Sequence, residues 1–206
     1  MRTSLPLLLS ALILCAQASA APNVAASDAV ASDQNVRYVR NAAPIYSDAA
    51  LQDPIGTMLP GTRLSLSSSA DATGRAFVFE GWTEQGDETD LFVAPGQRIV
   101  AARLRGESPA LARGKKTQDP YGNTWVSVKL VGYIAAASLA KHEATVWAGA
   151  ATLYQTRCTA CHALHRPDEF SANQWPSILH TMAKNAALQP PEIELLTQYL
   201  QTHAKH

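Results

Sequence analysis

The residues best suited to chemistry lie near the carboxyl end of the chain, where residues 158–162 read C-T-A-C-H. Two cysteines at this spacing can form thioether bonds to the two vinyl groups of a haem, and the histidine that follows can bind the iron. The motif therefore predicts one covalent haem c, attached through Cys158 and Cys161, with His162 as the first axial ligand. A protein with that chemistry normally transfers electrons.

Other uses of paired cysteines fit the sequence less well. A structural zinc site needs four ligands, usually from a second C-x-x-C or a spaced histidine pair, and no cysteine follows Cys161. A redox-active thiol pair would follow a strand and open a helix, whereas the segment before Cys158 has a helical pattern. A simple disulfide is the remaining alternative. The later histidines show no zinc-binding pair: His165, His180, His203 and His206.

The amino terminus has the pattern of a secretory signal peptide. Arg2 supplies the positive start, an apolar stretch follows, and Ala18–Ala20 reads A-S-A, a typical cleavage site. We interpret residues 1–20 as a signal cleaved near Ala20, which would leave no transmembrane anchor in the mature form. An uncleaved anchor is the alternative, but the stretch is short for spanning a bilayer.

Export and the cysteine motif support each other, because haem c is attached on the outer face of the bacterial membrane. The predicted location is therefore the periplasm.

Loss of Arg2 leaves sixteen basic residues against seventeen acidic ones. This balance argues against a nucleic-acid partner. Residues 21–35 are rich in Ala, Ser and Asp and are interpreted as a flexible leader.

Residues 36–140 have the pattern of β structure, because short apolar runs alternate with turn residues. The predicted strands are Val36–Val39, Ile55–Leu59, Arg63–Leu66, Phe77–Phe79, Leu91–Val93, Ile99–Leu104, Trp125–Lys129 and Gly132–Ile134. Pro60–Gly61 predicts a turn, and Ser108–Thr117 is interpreted as a basic surface loop. Short strands with frequent turns favour a small barrel.

The pattern becomes helical in residues 141–206. Apolar residues at helical spacing predict a first helix over Glu143–Thr156. Proline at a first helical position marks a second helix from Pro176 to about Ala186 and a third from Pro190. The haem motif lies between the first two helices. A piece this small would be marginally stable on apolar burial alone, and a covalent haem would supply the missing core.

The ligand on the other side of the iron is left open by the motif. Trp175, Ile178 and Met182 fall on one face of the second helix, which favours Trp175 and Ile178 as haem-pocket residues and Met182 as the distal ligand. His180 lies about 200° from Met182 around the helix, so it is expected to face solvent. His180 ligation and an open sixth position are the alternatives.

The run of residues 146–205 resembles the carboxy-terminal monohaem domain of the TorC-type cytochromes, which serve periplasmic trimethylamine-N-oxide and related reductases. The shared features are C-x-x-C-H, Asn173–Trp175, Met182 seven residues after the tryptophan, and Tyr199–Leu200. The resemblance implies that Cys158 and Cys161 hold the haem, with His162 proximal and Met182 distal.

The preceding segment, with Tyr38, Pro60–Gly61, Trp125 and Gly132–Ile134, resembles the linker region of the same proteins and, more weakly, bacterial SH3-like domains. The expected fold class is therefore α+β and multi-domain. A small SH3-like β-barrel (36–140) would precede an all-α, class I-like cytochrome c domain (141–206).

TorC-type proteins begin with a membrane helix and a multihaem domain that accepts electrons from quinol, whereas this sequence has one C-x-x-C-H motif and a cleavable signal. We therefore expect a separate electron donor, either a membrane cytochrome or another quinol-linked protein. The resemblance implies a terminal molybdenum N- or S-oxide reductase as acceptor. The expected function is single-electron relay without enzymatic activity. A haem-based sensor or regulatory binding module is the alternative.

Overall fold

The computed structural model describes residues 35–67, 73–87, 89–160 and 162–205, which all belong to one compact unit. The predicted signal peptide, residues 21–34 of the predicted leader, and Cys161 lie outside the described residues.

Ten strands form one sheet between residues 36 and 140. They are β1 Val36–Val39, β2 Ala43–Tyr46, β3 Pro54–Met58, β4 Arg63–Leu66, β5 Gly74–Glu84, β6 Asp90–Ala94, β7 Gln97–Leu104, β8 Leu111–Gln118, β9 Thr124–Ala135 and β10 Leu139–Ala140. The strand order is β10-β1-β4-β5-β6-β7-β3-β2-β9-β8. The described pairings are antiparallel.

The two longest strands, β5 and β9, hold the sheet together. They pair continuously from Gly74 opposite Ala135 to Glu84 opposite Trp125. Since β5 also pairs with β6, and β9 with β2, six strands close into a ring in the order β5-β6-β7-β3-β2-β9. The side chains that face inward form the larger apolar core, which includes Phe77, Phe79, Val128, Leu130 and Ile134.

The predicted fold class, a small SH3-like barrel followed by a separate all-α cytochrome domain, is wrong. The described residues form ten strands in one sheet and three α-helices, and more of these residues lie in strands than in helices. One reason is that the runs Trp125–Lys129 and Gly132–Ile134 are a single strand. The two runs were predicted as separate strands, the second beginning at Gly132, where a Cβ would lie 2.9 Å from the Tyr46 carbonyl oxygen. The glycine therefore permits close approach of β2 and leaves β9 continuous.

The interpretation of Ser108–Thr117 as a loop is also wrong, because Leu111–Gln118 forms β8. This strand is the last in the sheet order and pairs with β9 alone. Residues 112–116 are all exposed and carry three cationic side chains. An edge strand tolerates charge on its free side, so the alternation of apolar and polar residues that marks a half-buried strand is missing here.

The three predicted helices are confirmed with small shifts of their ends. They are α1 Glu143–Cys158, α2 Trp175–Ala183 and α3 Pro190–Thr202. Helix α1 begins at the predicted residue and runs to Cys158, so the first motif cysteine is helical. Helix α3 begins at Pro190 as predicted, and the Glu192 carboxylate accepts a hydrogen bond from the Gln189 amide at 2.8 Å. Within the described ranges, no helix has the length and apolar character needed to cross a membrane.

The helices pack on the sheet instead of forming a separate body. Helix α1 contacts β1 and β10, and α3 contacts β7 as well as α1 and α2. Ile99 of β7 is 4% exposed and belongs to the same apolar core as Trp175, Leu196 and Leu200. This cluster, which we call the helix core, therefore includes a strand residue.

Candidate haem site

Helix α1 places Cys158 at the margin of the helix core. Ala150 and Tyr154 lie on the buried face of this helix, and Cys158 follows at the same four-residue spacing, so it shares that face. Its side chain is half-buried and packs against the helix core. Burial raises the pKa of the Cys158 thiol, which keeps the sulfur in its neutral form.

His162 is exposed, and its ring orientation is set by the backbone. The Nδ1 atom lies 2.6 Å from the Ala163 carbonyl oxygen. A carbonyl oxygen can only accept, so Nδ1 must carry the proton of this hydrogen bond. In the neutral ring the Nε2 atom then has a free lone pair, which is the form that binds a metal.

Two buried aromatic side chains hold the loop that follows His162. The Tyr154 hydroxyl donates to the His165 carbonyl at 2.9 Å, and the Trp175 indole donates to the Pro167 carbonyl at 2.7 Å. Burial is the main cause that raises the pKa of Tyr154, and the neighbouring Cys158 adds to it. The phenol therefore remains a donor across the neutral range.

Ring contacts connect His162 to the helix core. The rings of His162 and His165 are 5.3 Å apart, those of His165 and Phe170 are 5.4 Å apart, and those of Phe170 and Trp175 are 5.0 Å apart at 89°. This last geometry is the edge-to-face arrangement that aromatic pairs prefer. Sequence reasoning missed Phe170. An aromatic side chain in an otherwise polar loop was the available signal.

Sequence reasoning also missed the pairing of His165 with Glu169. The His165 Nδ1 atom lies 2.7 Å from the Glu169 carboxylate. A hydrogen bond from the Arg166 amide, followed by the one from His165, lowers the pKa of Glu169. Residues Pro167–Glu169 form a single 3₁₀ turn, and this turn brings the carboxylate back to the histidine.

Three of the predicted site residues come together around the helix core. Trp175 is fully buried at 0% exposure, and Ile178 and Cys158 both pack against the helix core from its partly exposed margin. The Trp175 ring lies 6.4 Å from the Tyr154 ring at 90°. The structure places Trp175 inside the protein core, with Ile178 nearer the surface.

Met182 is half-buried on α2, and His180 is exposed as the helical rotation predicted. Arg157, next to Cys158, makes a long 3.5 Å contact with the Ala186 carbonyl, and the Ala186 amide donates to the Met182 carbonyl. The Arg157 side chain therefore reaches the turn that follows α2. The described hydrogen bonds and ring contacts do not join Met182 to His162, so distal ligation by Met182 stays a prediction.

The residues present fit a covalent haem. A neutral half-buried thiol and an imidazole with a free Nε2 lie four positions apart. Beside Cys158, several apolar side chains pack against the helix core but remain partly exposed: Leu153, Leu164, Ile178 and Ala186. A haem attached at Cys158 could cover this apolar surface.

Two cavities lie elsewhere in the described residues, one of about 500 Å³ over β5, β8 and β9 and one of about 170 Å³ beside α3. None of the predicted haem-site residues lines either cavity.

Two family models match the chain in separate regions. The TorC third cytochrome c domain matches residues 31–139, and dihaem cytochrome c matches residues 154–206. The first region contains no cysteine, and the second contains the C-x-x-C-H motif once. These two regions together therefore offer one place for covalent haem attachment.

Curated proteins similar to this chain are named as cytochrome c-type proteins of the TorC and TorY type. The chain is 33% identical to cytochrome c-type protein TorY of Escherichia coli O157:H7 over 177 residues, which cover 84% of this chain and 47% of the relative. It is 28% identical to cytochrome c-type protein TorC of Escherichia coli K12 over 164 residues, covering 78% and 42%. The chain thus spans about half the length of these relatives.

No solved structure matches this chain. The resemblance to TorC-type cytochromes is confirmed by the family model and by the relatives, while the monohaem carboxy-terminal domain and the SH3-like part of that expectation are not. Because residues 31–139 are more than half of its length, the chain belongs to the family of the TorC third cytochrome c domain.

Proposed function

We propose that this protein is a monohaem c-type cytochrome that transfers single electrons and has no enzymatic activity of its own. The observation that carries the proposal is the C-x-x-C-H motif at the end of α1, where Cys158 is half-buried and the Ala163 carbonyl holds His162 Nδ1, which leaves Nε2 as the ring nitrogen for the iron. The match of residues 154–206 to dihaem cytochrome c supports it, as do relatives named as cytochrome c-type proteins.

Each of the predicted site residues would have its own role in holding the haem. Cys158 and Cys161 would hold the haem by thioether bonds, and the Ala163 carbonyl would keep the His162 Nε2 atom aimed at the iron. When bound, the haem supplies a one-electron change at iron. Ile178 and the apolar margin of the helix core would exclude water from one side of the ring. Met182 would be the second axial ligand, and His/Met ligation favours a high reduction potential.

We further propose that the protein acts in the periplasm after cleavage of residues 1–20. Its donor would be a membrane cytochrome or another quinol-linked protein, and its acceptor a molybdenum N- or S-oxide reductase. Similarity to the cytochrome c-type proteins TorY and TorC supports redox partners, and the secretory pattern of residues 1–20 supports export. Residues 36–140 would form the strand region and 141–206 the haem-binding region of one compact protein.

Absorption spectra of the exported, purified protein test the proposal. We expect one haem per chain that survives denaturation, because thioether bonds are covalent. The oxidised protein should show the weak near-red band of a methionine–iron(III) bond. Met182→Ala should lose this band and bind carbon monoxide when reduced, while His180→Ala, at an exposed position of the same helix, should keep the band.

Other outcomes separate the alternatives. A protein exported without haem would contradict the proposed function. One covalent haem without the near-red band, together with ready carbon monoxide binding in the unmodified protein, would exclude Met182 as ligand and favour the sensor. Two haems per chain would contradict the monohaem assignment.

A further inference from the structure

Amide side chains of residues 173–201 form hydrogen bonds with the backbone of strand β7 and of Gly96 just before it. The Asn173 side chain accepts a hydrogen bond from the Arg98 amide at 2.8 Å and donates to the Gly96 carbonyl at 2.8 Å. It therefore pairs with the backbone at the start of β7 much as a neighbouring strand would. Asn173 lies two residues before Trp175, the first residue of α2.

Helix α3 adds two buried amides to the same strand. Gln198 donates to the Val100 carbonyl at 3.2 Å, and Gln201 donates to the Arg98 carbonyl at 3.2 Å. The Gln201 amide also donates to the Ala172 carbonyl at 3.0 Å. One side chain thus joins β7, α3 and the residue that precedes Asn173.

The burial of these amides shows that their positions are specific. Gln198 and Gln201 are 4% and 2% exposed. A buried amide without partners would destabilise the fold, so each must lie where its hydrogen bonds can form. An apolar contact would allow sliding, whereas these bonds fix the position of the helices along β7.

This contact lies at the amino end of the helix that carries three of the predicted haem-site residues. Helix α2 has nine residues and is therefore about 14 Å long, so a displacement at Asn173 would move its whole length. The same end of α2 is joined to the loop after His162, because the Trp175 indole donates to the Pro167 carbonyl. The amino end of α2 therefore links β7 to the loop that follows His162.

Resting on the proposed function, we propose that Asn173, Gln198 and Gln201 are positioning residues that hold α2 against β7 and thereby set the strength of the bond from Met182 to the haem iron. These three residues are called the β7 clamp. The clamp gives the strand region a role in the redox site without placing any strand residue on the haem.

Substitutions in the full, haem-loaded protein test the clamp. Asn173→Ala removes two hydrogen bonds, and Gln201→Met removes two while keeping the length of the side chain. Loss of two hydrogen bonds changes an equilibrium by about tenfold or more. We therefore expect carbon monoxide to bind the reduced variants about tenfold more readily, with a weaker near-red band and a lower reduction potential. Covalent haem content should not change.

The matched control is Asn185→Ala, an exposed asparagine just after α2, which should leave all three readouts unchanged. Amide hydrogen exchange gives an independent readout, because the Arg98 amide donates to Asn173. Its exchange should be faster in Asn173→Ala and unchanged in the control. If Asn173→Ala does not fold, Asn173→Asp keeps the acceptor for Arg98 and replaces the donor to Gly96 with a second acceptor, with Asn185→Asp as its charge control. We expect an effect in the same direction.

The outcomes distinguish failure of the clamp from failure of the proposed function. A near-red band in the unmodified protein, with clamp variants that match the controls in carbon monoxide binding and reduction potential, would overturn the clamp and leave the function intact. Absence of the band in the unmodified protein would remove Met182 as ligand and overturn both the ligand assignment and the clamp.

Discussion

At the residue scale, the haem-motif loop depends on aromatic side chains that combine an apolar body with one polar atom. Tyr154 and Trp175 are 3% and 0% exposed, yet each donates a hydrogen bond to a carbonyl of the loop. Burial of the rings stabilises the helix core, and the two donors fix the loop that begins at His162. Phenylalanine at either position would keep an aromatic ring in the core and lose the hydrogen bond to the loop carbonyl.

Asp119, at the turn between β8 and β9, accepts several hydrogen bonds that hold this turn together. Its carboxylate accepts hydrogen bonds from the Asn123 side chain at 2.9 Å and from the buried Trp125 indole at 3.0 Å. The amides of Tyr121 and Asn123 also donate to it. These bonds, led by those from the Asn123 and Trp125 side chains, lower the pKa of Asp119 to about 2.

The pH dependence of Asp119→Asn follows from that pKa. A carboxyl whose pKa is lower in the folded state contributes stability above its unfolded pKa of 3.8. That contribution is lost as the pH falls toward about 2. We expect Asp119→Asn to lower the melting temperature at pH 6 and to differ less from the unmodified protein at pH 2.5. Asp53→Asn, at an exposed carboxyl, is the control. A pH-independent difference would contradict this account.

Some features of the site could be predicted from local spacing and others could not. The exposure of His180 and partial burial of Met182 follow from rotation along one helix. The bonds of Tyr154 and Trp175 to the loop, and the pairing of Asn173 with β7, join residues that are distant in the chain or separated by an irregular loop. No periodicity encodes such contacts, so sequence reasoning assigned these residues to packing or to a family resemblance.

At the element scale, strand runs were predicted well where the sheet buries one face and poorly at its edge. Val36–Val39 and Arg63–Leu66 have the predicted bounds. Burial alternates along Arg63–Leu66, whereas Val36–Val39 is buried at its two apolar ends. Strand β8 was missed because it has one neighbour and a cationic, exposed sequence. Strand β9 was predicted as two runs, Trp125–Lys129 and Gly132–Ile134, although it is continuous and Gly132 makes room for β2.

The turn at Pro60–Gly61 was predicted from its residue types, but the structure adds a packing requirement. Gly61 has a φ of +79°, and a Cβ there would lie 2.0 Å from the ring of Trp147 on α1. Gly61→Ala should therefore destabilise the protein by about 3 kcal/mol, through backbone strain and displacement of the tryptophan. Chemical denaturation of the two proteins measures this difference.

Gly86→Ala is the matched control for Gly61→Ala. Gly86 has a similar φ of +95°, but a Cβ there would meet nothing within 4 Å. Backbone strain alone should cost about 1 kcal/mol at this position. Equal destabilisation by the two substitutions would mean that contact between α1 and the turn adds nothing.

At the scale of the whole molecule, the strand and helical regions depend on each other. The larger core lies within the sheet, but the helix core takes Ile99 from β7, and a third cluster joins Ala140 of β10 to Val146, Trp147 and Ala150 of α1. The sequence predicted where strands end and helices begin. It did not predict that the regions share cores, because the contacts join residues far apart in sequence.

Ile99→Ala tests this dependence. Ile99 is 4% exposed and packs with residues of the helix core, so truncation should destabilise the protein by about 2–4 kcal/mol. Because the core includes strand and helix residues, we expect the denaturation midpoints followed by haem absorbance and by far-ultraviolet circular dichroism to fall together. Val131→Ala, at a position that is 45% exposed, should change stability by less than about 0.5 kcal/mol. If only the haem signal shifts while the strand signal keeps its midpoint, the two regions unfold independently, and the sheet could not position the haem-binding helices through β7.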